Sequence, residues 1–236
     1  MYLRLAIVPA RGGSKRFPGK NWAKLGEEPL WLWTVEVATI CFDTVVFTTD
    51  CKKLLNNVID TQGHFVTGLL RPNNLCTDTS KVIDTVSWLY DIYDKKSCVY
   101  DEIWLLLPTC PLRTVDDIIL SQKQLKNSEC EGVISVTDYE FPPQLALDVD
   151  ENGEIKDWHE SKPWQNNNSR SQDHERLYRP NGALYGMKWG AFGKYRNFYK
   201  GHIGHYHMPR ERSVDIDNKI DLQLAEFLLS KGDNYE

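Results

Sequence analysis

Runs of apolar, β-branched residues alternate with stretches whose apolar positions recur every three to four residues. "LRLAIV" (3–8), "TVVFTTD" (44–50), "HFVTGLL" (64–70), "EIWLLLP" (102–108) and "GVISVT" (132–137) read as strands, the third weakened by Gly68. Between them, "PLWLWTVEVATI" (29–40) opens with a helix-starting proline, and "CKKLLNNVIDTQG" (51–63) closes on glycine. "TSKVIDTVSWLYDIYD" (79–94) offers Thr79 as an N-cap and spaces Val82, Val86, Leu89 and Tyr93 along one face, and "TVDDIILSQKQLKN" (114–127) is a further helix. Strands separated by helices imply crossover connections, hence an α/β fold with a mostly parallel sheet flanked by helices on both faces. Such sheets bind ligands beyond the carboxyl ends of their strands.

The rhythm breaks from Asp138 to Leu177. This polar segment holds one expected hairpin, around "DENGEI", with Asn152–Gly153 as the turn. It is too long for a plain connection and reads as either a lid or an arm that grips a partner subunit. "NGALYGMK" (181–188), "HIGHYHMP" (202–209) and a last helix, "NKIDLQLAEFLLSKG" (218–232), restore the pattern.

With 236 residues the chain suits one sizeable core with an elaboration, read here as one domain over 1–236 carrying an inserted arm over 138–177. Its net charge of -5 disfavours a general binder of nucleic acid or of an anionic membrane. No apolar stretch approaches the roughly 20 residues that cross a bilayer, and the N-terminus is unlike a secretory signal, so a cytoplasmic protein is expected. Six cysteines without C-x-x-C spacing argue against a zinc knuckle or a disulfide framework. His202, His205 and His207 could gather on a metal only if their strand bent, because His202 falls on the opposite face. Trp31, Trp33, Trp88, Trp104 and Trp189 sit within expected elements and read as packing. Trp158 and Trp164 lie on the arm, where a dimer contact or a sugar lid is equally open.

Against the acidic background, "PARGGSKRFPGKN" (9–21) gathers Arg11, Lys15, Arg16 and Lys20 among glycines, directly after the first strand. Such a loop can present backbone N–H groups to phosphate oxygens, and its clustered cations repel one another unless an anion or acidic neighbours offset them. It matches neither G-x-x-x-x-G-K-[ST], because Asn21 follows Lys20, nor G-x-G-x-x-G. Near the other end, "RSVDIDNKIDL" places Asp215 and Asp217 two apart. On extended backbone both carboxylates face the same side, which suits Mg²⁺ completed by water and substrate phosphate; equally, Asp217 could cap the last helix.

"PARGGSKRFPGKN", "RPNNLCTDTS", "LLPTCPLRT", "RPNGALY" and "ERSVDID" resemble, in order and across nearly the whole chain, the motifs of the acylneuraminate cytidylyltransferases, the CMP-sialic acid synthetases. The resemblance implies a Rossmann-like nucleotidyltransferase fold, a homodimer, Mg²⁺, and transfer of CMP from CTP to an acidic 2-keto sugar with release of pyrophosphate. It implies that Ala10, Arg11, Gly12, Gly13, Ser14, Lys15 and Lys20 surround the triphosphate, with Lys20 stabilising charge at the α-phosphate. Asn21 would contact the nucleoside, and Arg71, Asp78 and Thr79 would enclose the cytosine. Asp215 and Asp217 would hold Mg²⁺, and Leu107, Thr109, Arg170, Arg179 and Asn181 would meet the sugar, an arginine fork being the natural partner of its carboxylate. The pattern departs at Leu107, where sialic-acid-specific members carry Gln, and at Leu145, Ser171 and Val82. Leucine in place of a polar side chain removes hydrogen bonds, at about 1–3 kcal/mol for each buried group left unpaired. A nonulosonic acid less polar than N-acetylneuraminate, such as a legionaminic-type sugar, fits that change. The rival readings are a nucleotidyltransferase for another sugar or a sugar phosphate, and an inactive nucleotide-binding relative.

Overall fold

The computed structural model describes residues 2–77, 79–95 and 100–232. Strand β1 (Arg4–Pro9) leads into the cationic loop, and a two-residue ladder of β2 (Lys24–Leu25) with β3 (Glu28–Pro29) follows it. Then come α1 (Leu30–Cys41), β4 (Thr44–Thr49), α2 (Lys52–Gln62), β5 (Val66–Leu70), α3 (Val82–Lys95), β6 (Glu102–Leu105), α4 (Val115–Asn127) and β7 (Gly132–Asp138). The arm contains the hairpin β8 (Leu147–Val149) with β9 (Ile155–Asp157). Strand β10 (Tyr178–Lys188), α5 (Trp189–Tyr195), β11 (Ile203–His207) and α6 (Lys219–Lys231) complete the chain.

Seven strands form one sheet in the order β11-β7-β10-β6-β1-β4-β5. All pair in parallel except β10, which runs antiparallel to both β6 and β7. Period-two alternation builds two cores. Ala6, Val8, Val45, Phe47 and Trp104 face α1, α2 and α4, whereas Leu5, Ile7, Val46, Ile103 and Leu105 face α3 and α5. Gly68, which weakened the third strand on paper, lies under α2: an added Cβ there would stand 2.8 Å from Leu55 Cδ1. Helix α3 starts at Val82, and Thr79 does not cap it; its hydroxyl instead lies 3.2 Å from that of Thr77. Helix α4 is capped by Thr114, whose hydroxyl accepts from Asp117 N while the Asp117 carboxylate accepts from Thr114 N.

A third, smaller core joins residues from both ends of the chain. Phe17 from the cationic loop, Leu25, Leu30, Val214, Ile216 and Ala225 of α6 are buried together. The strip before α6 thereby docks against the loop after β1, and Ile216 N donates to Thr109 O at 2.8 Å. Among the described residues no helix is long and apolar enough to cross a membrane, and Cys41, Cys51, Cys76, Cys110 and Cys130 are free thiols; Cys98 lies outside them.

Candidate active site

The carboxyl ends of β1 and β6 deliver two loops to one cavity of about 410 Å³, lined by Arg11, Gly13, Ser14, Lys15, Arg16, Lys20, Asn21, Leu107 and Thr109. Beside it a second cavity of about 590 Å³ is lined by Arg16, Arg179, Arg210, Asp215 and Asp217, among others. Burying Val214 and Ile216 turns the intervening carboxylates of Asp215 and Asp217 outward, so the alternation read from the sequence is realised. Asp217 does not cap α6; Asn218 does, accepting from Ile220 N and Asp221 N. The two ends of the chain therefore meet. Lys20 Nζ donates to Asp217 Oδ1 at 3.0 Å and to Ile216 O at 2.9 Å, and Arg16 Nη1 lies 2.7 Å from Asp217 Oδ2.

The electrostatics follow from packing. Protein crowded around the Asp215 carboxyl raises its pKa above the ordinary carboxylate range; Thr109 and Lys20 pull it down, and the Asp217 charge adds to the rise. Burial likewise pushes the Arg113 guanidinium down to about 10. Among the described residues no three His, Cys, Asp or Glu side chains converge as a metal cage. A divalent ion at Asp215 and Asp217 would therefore take two hard oxygen donors from the protein and the rest from water and phosphate, the donor set Mg²⁺ prefers.

Several expected contacts are displaced. Ala10 is buried, with its N–H on Thr48 O at 2.9 Å. The Gly12 amide, expected on phosphate, instead donates to Asp50 Oδ1 at 2.6 Å, and a Cβ on Gly12 would stand 2.4 Å from Cys51 Cβ. Arg71, expected at the cytosine, is buried, donating to Thr48 O at 3.2 Å, and lines neither cavity. Asn181, expected at the sugar, lines neither cavity and braces the fold. It is 1% exposed, its Oδ1 accepts from Ser135 Oγ and Ala183 N, and its Nδ2 donates to Ser213 Oγ. Thr79 and Arg170 are exposed and line neither cavity, and Asp78 lies outside the described residues. Of the departures expected at the sugar, Leu107 lines the first cavity; Leu145 is buried in the arm, where its carbonyl accepts from Trp164 Nε1.

Two residues escaped the sequence reading. Asp50 ends "TTD" at the carboxyl end of β4, a position that itself marks a site. Arg113, in "CPLRT", is 2% exposed and its guanidinium bonds Ala183 O, Thr34 Oγ1, Cys110 O and Leu107 O, tying α1, β10 and the 107–110 loop together. His207 pairs with Asp138 at 2.8 Å and His205 stacks on Tyr178, so these two side chains knit β11 to the ends of the arm.

A mostly parallel α/β sheet whose carboxyl edge carries a cationic glycine loop facing paired carboxylates is the equipment of a nucleotidyltransferase. The chain belongs to the cytidylyltransferase family, whose model matches residues 5–233. It is 29% identical over 228 residues to pseudaminic acid cytidylyltransferase of Campylobacter jejuni, covering 95% of both chains. It is 29% identical over 231 residues to CMP-N,N'-diacetyllegionaminic acid synthase of Legionella pneumophila, again covering 95% of both. Against N-acylneuraminate cytidylyltransferase of Escherichia coli O18:K1:H7 it is 30% identical over 224 residues, which are 94% of this chain and 51% of that one. The fold matches a solved CMP:2-keto-3-deoxy-manno-octonic acid synthetase complexed with CTP, with TM-score 0.67 at 14% identity over 97% of this chain and 99% of that one.

Proposed function

We propose that this protein transfers CMP from CTP to the anomeric hydroxyl of a nonulosonic acid, with Mg²⁺ held by Asp215 and Asp217. The observation that carries this reading is the meeting of Lys20 with Asp217, 197 positions apart, at the junction of two cavities. The first cavity accepts the triphosphate on Arg11, Lys15, Lys20 and the Gly13 amide, with Asn21 at the nucleoside. Asn21 is held for this by its Nδ2 bond to Arg11 O at 2.7 Å. The second cavity takes the sugar. Arg179 lines it half-buried and has no acidic partner among the described residues, as a carboxylate-binding arginine requires.

In the reaction the anomeric oxygen bonds to the α-phosphorus as the bond to the pyrophosphate oxygen breaks, and the hydroxyl proton passes to solvent water. Lys20, oriented by Ile216 O, supplies positive charge where the phosphoryl oxygens gain negative charge. Thr109 fixes the Asp215 carboxylate, and Arg113 fixes the loop that carries Thr109. Bound Mg²⁺ would neutralise phosphate charge and acidify the attacking hydroxyl.

Relatives named for pseudaminic, legionaminic and N-acylneuraminic acids match at nearly equal identity, so overall likeness does not choose the acceptor. Leu107 lines the triphosphate cavity, into which the anomeric end of the acceptor must reach to meet the α-phosphate, and there it supports an acceptor less polar than N-acetylneuraminate. Exposed Leu147, Val149, Ile155 and Trp158 on the arm support a homodimer gripped by that hairpin. The test is pyrophosphate release from CTP and Mg²⁺ across a panel of eight- and nine-carbon 2-keto acids and a sugar 1-phosphate, with Lys20→Ala and Asp217→Ala as controls. Turnover is expected with nonulosonic acids, highest for a legionaminic-type sugar, and each control should lose about 100-fold or more. Release only with the sugar phosphate, or CTP binding without release for any acceptor, refutes the reading; N-acetylneuraminate matching every other acceptor refutes the less polar choice.

A further inference from the structure

Arg16 has no part in the mechanism above, yet among the described residues it alone lines both cavities. Its guanidinium reaches out of the triphosphate cavity to Asp217 Oδ2 at 2.7 Å, while Lys20 holds Oδ1 at 3.0 Å. Each oxygen of this carboxylate thus carries a cation, and the charge of both opposes the approach of a hard divalent ion. The two pairs are unequal. The Lys20 side chain is 12% exposed and is anchored a second time by Ile216 O, whereas the Arg16 side chain is 75% exposed and its pair with Asp217 is its one ion pair among the described residues. Arg16 is therefore the cation free to leave. A triphosphate entering the cavity that Arg16 already lines offers the guanidinium several anionic oxygens in a fork-matching geometry, in exchange for half of one carboxylate.

We infer that Arg16 is a charge gate: in the nucleotide-free protein it covers Asp217 against divalent cations, and on nucleotide binding it transfers to the phosphates and uncovers the carboxylate. The gate orders assembly, with the nucleotide arriving before the metal settles on Asp215 and Asp217. It also keeps these carboxylates from being occupied when there is nothing to transfer. The inference rests on the assignment of Asp215 and Asp217 as metal ligands.

The experiment is a Mn²⁺ titration of the nucleotide-free full chain, reading free Mn²⁺ by electron paramagnetic resonance, for the wild type, Arg16→Ala and Asp217→Asn. An exposed pair of this kind, together with repulsion between guanidinium and metal, corresponds to about a three- to tenfold effect. Arg16→Ala is expected to bind Mn²⁺ that much more tightly than the wild type, and Asp217→Asn to lose the site. In the presence of EDTA, Arg16→Ala is expected to bind CTP several-fold more weakly, because the transferred contact is gone. Mn²⁺ affinity unchanged or weakened in Arg16→Ala, undetectable binding in both proteins, or unaltered CTP affinity each overturns the gate. Measuring the metal requirement of turnover alongside separates the two ideas. Activity that needs a divalent cation together with unaltered Mn²⁺ binding removes the gate alone, whereas activity in EDTA removes the metal assignment beneath it.

Discussion

Replacing Arg113 with methionine tests whether the loop after β6 is held by a single buried guanidinium. Four acceptors surround it: Cys110 O at 2.7 Å, Ala183 O at 2.5 Å, Thr34 Oγ1 at 2.8 Å, and Leu107 O. Thr34 can redirect its hydroxyl, and Leu107 O keeps a bond from Cys110 N at 3.3 Å, so the main loss falls on the carbonyls of Cys110 and Ala183. Two buried acceptors deprived of a donor cost about 1–3 kcal/mol each. Part of this is recovered because the variant no longer buries a charge, the cost that depresses the Arg113 pKa. The net expectation is a destabilisation of about 3 kcal/mol, seen in urea unfolding as a lower midpoint at unchanged slope. The same loop presents Leu107 and Thr109 to the nucleotide cavity, so the KM for CTP should rise at temperatures where the variant is still fully folded. Arg113→Lys should fall between the two, since one ammonium cannot reach four acceptors spread over three elements. A loss under about 1 kcal/mol with an unaltered KM would show that other contacts hold the loop.

Other consequences are equally direct. Asp215→Asn should stabilise the nucleotide-free protein while abolishing turnover. Burial and Asp217 raise the Asp215 pKa above its unfolded value, so its favourable contribution to folding exists only at low pH and is lost as pH rises through the folded value. The melting-temperature advantage of the variant should therefore grow from pH 4 to pH 7, and no advantage at neutral pH would refute the assignment. Asp138 has the opposite sign: the bond from Arg176 foremost, then that from His207, lowers its pKa to about 2. Its contribution is present above the unfolded carboxylate range, about 3.9, and is lost as pH falls through about 2. Asp138→Asn should accordingly destabilise the protein at pH 6 and lose that effect on acidification, measured by urea midpoints. Asn181→Ala should cost about 2 kcal/mol, chiefly by unpairing the buried Ala183 N, since Ser213 Oγ keeps its bond to Pro209 O, with thermal unfolding as the readout.

The Asn181 brace shows where reading a sequence stops. Asp215 and Asp217 were legible because their neighbours Val214 and Ile216 are apolar, and alternation on extended backbone leaves one direction for the carboxylates. Asn181, Arg71 and the Gly12 amide carry equally suitable chemistry, but nothing beside them in sequence says which way they point. The direction of Asn181 is decided by β10, which enters antiparallel between β6 and β7 and slips register between Pro180 and Tyr185. That slip takes residues 181–184 out of the ladder, and Ser135 Oγ and Asn181 Oδ1 supply bonds to the amides of Leu184 and Ala183. Polar side chains near an irregular strand are recruited to satisfy its backbone before any ligand arrives, because an unpaired buried amide costs as much as a lost ligand contact. The cationic loop escapes this ambiguity by a different route. Its four basic side chains stand within ten residues of one another, and cations so close repel unless anions lie among them, so the call for negative charge is legible whichever way each side chain points.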